Sequence, residues 1–353
     1  LVNAYCEYDT LYQLNEVISF QWLKNSHCIG AAQLQLIMND NGKIRKILYT
    51  SDIGALHTNN HYLADTEIPT MFNDVVIMES TYGELKRDTK KTRGFDVEHL
   101  RVSINTVLKR GGSAILPCFS FSRTQELLTT LHDIYGSDEN FTTQIIVDSK
   151  LSCDISKLYS SVLDGNNLEK WGSVYNWQNV KFVSEKTDSQ HCVVDPTPKI
   201  VISSSGFCTN GRIVNYLKQY LKDPNSMVIF SGYTGDNPTY LSYRIKNYRE
   251  HKFISINKER IANKADCITL STFSSHANHS DLIKYGSSLN TNKVILVHGS
   301  AEGKKCLTEK LKEAISKNDQ TYRVMSACRG MVVHLRGESL WKTKLLARTL
   351  IIV

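Results

Sequence analysis

Acids and histidines recur just past apolar runs in this chain, and that placement is where its chemistry begins. Asp52 follows the run Ile47-Leu48-Tyr49-Thr50, and Glu79 follows Val75-Val76-Ile77-Met78. His276 comes after the run Cys267 to Leu270, and His298 directly after Val294 to Val297. His27 sits in the polar turn Ser26 to Ala32, ahead of the apolar stretch Gln33 to Met38. In open α/β folds ligands lie beyond the carboxyl ends of strands, so such residues point at a site rather than into the core. Taken singly, each is as readily a turn-opening acid or a surface histidine. Together they supply the nitrogen and oxygen donors of a zinc site, with an acid and a histidine left to shuttle protons.

The elements that must position these residues follow from periodicity. Residues 11–23 read as a short helix or a strand pair, and Asn41-Gly42 as a hairpin turn between the strands Gln33 to Met38 and Lys43 to Thr50. The polar stretch Glu84 to Arg93 reads as a boundary into a second unit. Beyond it, strand alternates with helix. Val97, Leu100, Ile104, Val107 and Leu108 mark an amphipathic helix stopped by Gly111-Gly112. Ser122 to Gln125 has the form of a capping box opening a helix with Leu127, Leu128 and Leu131, and Ser152 is expected to cap the next one. Strands are expected at Ser113 to Pro117, Gln144 to Val147, Lys199 to Ile202 and Met227 to Phe230, while residues 164–197 are aromatic-rich without a usable period. The fold class is α/β with largely parallel sheet.

After the strand ending at Ile202 comes Ser203-Ser204-Ser205-Gly206-Phe207-Cys208-Thr209-Asn210-Gly211-Arg212. Small residues and glycines between a strand and a helix let backbone N–H groups converge on an anion. Their spacing matches no nucleotide-binding fingerprint, so a plain tight turn is equally open.

Composition bounds the answer. A chain of 353 residues suggests two domains, and 41% apolar with 22% charged residues is globular rather than disordered. The net charge of +7 is spread diffusely, which is compatible with a polyanionic partner without demanding one. Nine cysteines without a CxxC pair suggest free thiols and a cytoplasmic protein. No apolar run reaches the roughly 20 residues of a membrane-spanning helix, so no membrane partner is expected. The tail Leu345 to Val353 reads as a last strand or helix.

The ordered segments around His27, Tyr49 to Gly54, Glu79 to Gly83, Phe273 to Asn278 and Val297 to Gly299 resemble the β-CASP nucleases of the metallo-β-lactamase superfamily. Phe121 to Glu126 and Ser205 to Arg212 resemble that family's β-CASP segments. The resemblance implies an αββα metallo-β-lactamase domain, residues 1–84 and 271–353, incomplete at its N-terminus, with an α/β β-CASP domain inserted over residues 85–270. It implies two zinc ions, held by His27, by a bridging Asp52 and by His298, with Asp52, Glu79 and His276 at the catalytic step. His276 would protonate the leaving oxygen and Glu79 would orient it. Arg123, Ser205, Gly206, Gly211 and Arg212 would lie near the substrate phosphates.

The implied function is a zinc-dependent phosphodiesterase cleaving RNA, as an endonuclease or a 5′ exonuclease, alone, as a homodimer or with a partner subunit. The alternative is an inactive homologue that binds RNA or serves as a scaffold. Two departures are small: Ser51 stands where a glycine is usual, and Asn278 where an aspartate is usual. A third is larger, since the family's His-x-His-x-Asp-His run is absent from these residues. The expectation is therefore a fragment of the full enzyme, binding zinc substoichiometrically and lacking nuclease activity on its own.

Overall fold

The computed structural model describes residues 5–84, 92–232, 234–235, 237–247, 250–317, 321–333 and 351–352. Most of the expected connector Glu84 to Arg93, and all but Ile351 and Ile352 of the expected last element, lie outside these residues. In chain order the strands are β1 (Leu11–Gln13), β2 (Ile18–Lys24), β3 (Ala32–Asp40), β4 (Lys43–Tyr49), β5 (Val75–Glu79), β6 (Ala114–Pro117), β7 (Gln144–Asp148), β8 (Val180–Val183) and β9 (Lys199–Ser203). They continue with β10 (Met227–Phe230), β11 (Phe253–Ile256), β12 (Glu259–Ala262), β13 (Asp266–Thr269), β14 (Lys293–Val297), β15 (Arg323–Ser326), β16 (Val332–Val333) and β17 (Ile351–Ile352). Two compact units form, one from Leu1–Asn59, Leu63–Arg87 and Ser275–Val353, the other from Asn60–Tyr62 and Asp88–Ser274.

The first unit holds a seven-stranded sheet in the order β1-β2-β3-β4-β5-β14-β15. Residues 11–23 form the strand pair rather than a helix, with β1 antiparallel to β2. The hairpin between β3 and β4 turns through Asn41 at φ 50° and Gly42 at φ 87°, the left-handed pair a two-residue type I′ turn requires. Since β2 and β4 are each antiparallel to β3, they run the same way. The strands β5 and β14 join β4 in parallel. The carboxyl ends of β2, β4, β5 and β14 therefore share one sheet edge, which is what a constellation drawn from four distant segments needs. Alternation sends Leu48, Val76, Met78, Val294 and Leu296 into a core with Leu282, Leu307 and Leu311 of the helices His279–Ser287 and Ala301–Lys317. Ile47, Val75, Ile77 and Ile295 join Met331 and Val333 in a separate cluster. Burial on both faces is why these strands read as unbroken apolar runs.

The second unit is a six-stranded parallel sheet, β13-β10-β6-β9-β7-β8, with the hairpin β11–β12 beside it in sequence. Its helix Arg93–Lys109 is capped by Thr92, whose Oγ1 accepts the N–H of Phe95 at 3.2 Å. The capping box expected at Ser122 does not form: Ser122 has φ 64° and its side chain makes no cap bond. Gln125 is fully buried instead, and its Nε2 donates to the Ser120 carbonyl and to Ser156 Oγ at 3.3 and 3.0 Å. Burial against Ser156 takes the side chain away from the helix end, and its Oε1 accepts no hydrogen bond among the described residues. Ser149, not Ser152, caps the helix Lys150–Val162. The unplaced residues 164–197 contain the helices Gly165–Tyr175 and Lys186–Val194 on either side of β8. Trp171 anchors the first of them, fully buried, with Nε1 donating to the Ser156 carbonyl at 3.1 Å and its ring 5.2 Å from that of Tyr159.

A buried charge organises the carboxyl end of β7. Asp148 has no exposed side-chain surface, and its Oδ1 accepts Arg212 Nη1 at 2.7 Å. Its Oδ2 accepts Ser189 Oγ at 2.6 Å and Tyr216 Oη at 2.8 Å. Arg212 also donates to the carbonyls of Val183 and Ser184. Its guanidinium, expected on substrate phosphate, is thus engaged in holding β7 and β8 to the helix Ile213–Tyr220. Truncation by Arg212→Ala strands the Asp148 carboxylate and is expected to cost about 3 kcal/mol in urea unfolding. In a double-mutant cycle with Asp148→Asn the two losses should fall well short of adding; additive losses would mean the pair is not coupled.

Candidate metal centre

All five side chains of the predicted constellation lie in the first unit, at the shared carboxyl edge. His27 follows β2, Asp52 follows β4, Glu79 is the last residue of β5, His298 directly follows β14, and His276 lies just ahead of the helix His279–Ser287. Donor atoms of His27, Asp52 and His276 all fall within 4.8 Å of one another. His298 Nε2 stands 3.5 Å from Asp52 Oδ1, and its ring 5.9 Å from that of His276. The resemblance puts His298 rather than His276 in the ligand set, whereas the triad that falls together among the described residues contains His276.

Glu79 explains the position of His276. Its side chain is 1% exposed, and Oε1 accepts both the N–H of Ile53 at 2.9 Å and His276 Nδ1 at 3.0 Å. Oε2 accepts the N–H of Thr81 at 2.8 Å. Burial pushes the carboxyl pKa up, but the bond and positive field of His276 with the bonds from Thr81 outweigh it, and the net shift is down. An ionised carboxylate with these partners is an orienting group for His276. His27 is shifted to about 4, first by burial and then by the neighbouring His276, which keeps its imidazole neutral as a metal ligand must be. Its Nδ1 is buried and takes no hydrogen bond among the described residues. A buried ring nitrogen with nothing to bind, beside a carboxylate and further imidazoles, fits a zinc ion.

The loops are held in register by a residue the sequence reading passed over. Asn25 is 5% exposed, and its Oδ1 accepts the N–H groups of His27 at 3.1 Å and Gly54 at 3.0 Å. Its Nδ2 donates to the carbonyls of Thr50 at 3.2 Å and Asp52 at 2.8 Å. One amide thereby ties the His27 turn to the Asp52 turn. Gly54 lets them touch, because a Cβ there would lie 2.2 Å from the Ser26 carbonyl carbon. Ser26 Oγ adds a bond to the Ala55 carbonyl at 2.6 Å, and Thr66 Oγ1 accepts the N–H of Ser26 at 3.0 Å. A buried Asn two residues before His27 was the available signal, but its three other partners, at Thr50, Asp52 and Gly54, lie 25–29 positions away.

Two residues at this edge carry left-handed backbone without being glycine: Ser51 at φ 56° and His298 at φ 46°. Ser51 stands where the resemblance implies a glycine, and its positive φ is the backbone conformation that glycine favours. The His298 turn is fixed by Ser80 N–H and Thr81 Oγ1, which both donate to its carbonyl at 3.2 Å.

The expected phosphate contacts, all in the second unit, are differently disposed. Arg123 is nearly buried and paired with Glu126, and Arg212 is held by Asp148. In the loop after β9 the N–H of Ser205 donates to the Asn210 carbonyl and that of Cys208 to the Ser205 carbonyl. Those amides close the loop on itself and are not offered to an anion. Gly211, at φ 82°, lets the chain pass Ser204, whose carbonyl oxygen a Cβ would meet at 2.2 Å, and Gly206 packs beneath the ring of Phe119.

Comparison with known proteins matches two stretches to family models. Residues 124–239 match the Beta-Casp domain, and residues 260–321 the Zn-dependent metallo-hydrolase RNA specificity domain. An RNase J-like protein of Methanocaldococcus jannaschii is 29% identical over 288 residues, 81% of this chain and 65% of that protein. Transcription termination factor FttA of the same organism is 25% identical over 85% of this chain and 48% of its own length. Endoribonuclease YSH1 of Mycosarcoma maydis is 25% identical over 83% of this chain and 33% of its own length. Each match spans less than two thirds of the relative. With both family models in order and the Asp52, Glu79, His276 and His298 edge formed, the chain belongs to the β-CASP family of the metallo-β-lactamase superfamily.

Proposed function

We propose that this chain is the catalytic part of a zinc-dependent phosphodiesterase acting on RNA. His27, Asp52 and His298 are the protein ligands it contributes to two zinc ions, His276 is the general acid, and Glu79 orients His276. The observation that carries the proposal is the bond from Glu79 to His276 beside His27 and Asp52. A module that only bound RNA would have no use for a buried carboxylate spent on fixing one imidazole. RNA as the substrate class is supported by the names of the relatives and by the RNA specificity match over residues 260–321.

Bound zinc supplies Lewis acidity at the phosphoryl oxygens and a nucleophilic water at neutral pH. The remaining work falls to the chain. Glu79 holds the ring of His276 by Nδ1, so a proton on Nε2 is aimed at the departing oxygen. As the P–O bond breaks, that proton passes from His276 to the leaving group. Neutral His27 keeps its lone pair for the ion, and Asn25 keeps His27 and Asp52 at a fixed separation.

Substitutions separate these roles. In a protein carrying these residues together with a His-x-His-x-Asp-His run, His276→Ala should slow RNA cleavage roughly 10²–10⁴-fold with zinc content unchanged. His298→Ala should lower zinc content itself; equal metal loss in both would make His276 a ligand and remove the acid role. A wild-type protein that holds its zinc and leaves RNA intact would sink the proposal. Asn25→Ala should weaken zinc binding in equilibrium dialysis by roughly 10- to 100-fold, as loss of a ligand-orienting partner does. Unchanged affinity would show that the ligands need no such tie. For the 353 residues by themselves, ligand counting leaves two protein ligands per ion where catalytic zinc generally has three. Metal analysis should therefore find less than stoichiometric zinc; two tightly held ions would require ligands outside this assignment.

A further inference from the structure

Three aromatic rings meet at the carboxyl edge of the parallel sheet in the second unit, outside the metal centre. Phe119 comes two residues after β6, Phe207 lies in the loop after β9, and Tyr240 directly precedes the helix Leu241–Lys246 that follows β10. The Phe119 and Phe207 rings meet edge to face at 5.4 Å, and Phe207 stacks on Tyr240 at 5.7 Å with 19° between planes. Phe119 is 50% exposed and Tyr240 39%. Scattered exposed aromatics are ordinary, but a connected series from three loops at a ligand-binding edge is not.

We propose that Phe119, Phe207 and Tyr240 form a stacking platform for the bases of single-stranded RNA; this rests on the RNA reading above. Close packing fixes the rings: a Cβ on Gly206 would come within 3.2 Å of Phe119, and one on Gly235 within 2.4 Å of Tyr240. Bases stack on such faces whatever their identity, because each has a π-face. The surroundings suit the sugar–phosphate chain. Ser149 Oγ accepts from Ser204 Oγ at 3.0 Å and lies 3.3 Å from Ser120 Oγ, which places the exposed Lys150 next to these loops. The helices Arg123–Tyr135 and Lys150–Val162, after β6 and β7, begin at this edge, and helix amino ends favour anionic groups. The guanidiniums of Arg123 and Arg212 are committed to Glu126 and Asp148, so ring stacking rather than those arginines supplies grip here.

The test uses this chain and two oligoribonucleotides of equal length and charge, one of adenosines with a central 2-aminopurine and one abasic throughout, with binding read by anisotropy. The wild type should bind the base-bearing strand roughly 5- to 150-fold tighter per stacked base and change the 2-aminopurine fluorescence. Phe119→Ala with Tyr240→Ala should erase that preference while leaving affinity for the abasic strand and the unfolding midpoint unchanged. Phe119→Trp should retain the preference, which separates lost stacking from lost fold. Equal binding of both strands by the wild type, or a preference that survives the double substitution, overturns the platform alone. Binding of neither strand overturns the platform and the RNA reading together.

Discussion

A carboxylate with 1% of its side chain exposed is the constraint to which the first unit answers. Glu79 ends a strand whose five residues are all buried, so its charge has little water to solvate it. The chain solves this by bringing to it the Ile53 and Thr81 N–H groups and the ring of His276. Each donor drags its own segment along. Ile53 fixes the turn carrying Asp52, Thr81 also donates to the His298 carbonyl, and His276 arrives from a stretch 197 residues away. Satisfying one buried charge thus assembles the edge, and removing a donor would leave that buried ion with less compensation.

Asn25 does with neutral groups what Glu79 does with charge. Its amide has two acceptor and two donor sites, and four backbone groups of the His27 and Asp52 turns fill them. A fully used amide of this kind leaves no competing arrangement, so the His27 and Asp52 turns are set by the chain itself. Such preorganisation matters because His27 and Asp52 sit on turns rather than inside strands. The left-handed backbone at Ser51 and His298 belongs to the same economy of tight turns, in which the surrounding bonds hold conformations that isolated residues avoid.

Strand positions, and the placement of Asp52, Glu79 and His298 at strand ends, were legible because they depend on local pattern. Val75 to Met78 and Val294 to Val297 are short apolar runs followed directly by Glu79 and His298, and nothing distant is needed to see that. What stayed hidden depends on partners far along the chain. Ser122 looks like a helix cap from its neighbours, but Gln125 three residues on is buried against Ser156 and cannot complete the box. Arg212 looks like a phosphate ligand at a glycine-rich loop, yet Asp148, invisible as a buried charge in the sequence, takes it. The hairpin β11–β12 turns through Asn257 and Lys258 at φ 51° and 67° without any glycine to announce it.

The same contrast separates the two kinds of positive charge in the second unit. A guanidinium that must neutralise a buried carboxylate cannot also travel to a phosphate without stranding its partner, so Arg123 and Arg212 are poor candidates for a mobile substrate contact. Lysines with exposed ammonium groups, such as Lys150, carry no such debt. Affinity for a polyanion would then rest on the diffuse net charge of +7 and on helix amino ends, both of them indifferent to sequence. Any orientation of the strand must come from groups that touch something other than phosphate. Fixed aromatic rings meet that requirement, since stacking sets the plane of a base and with it the path of the backbone that follows.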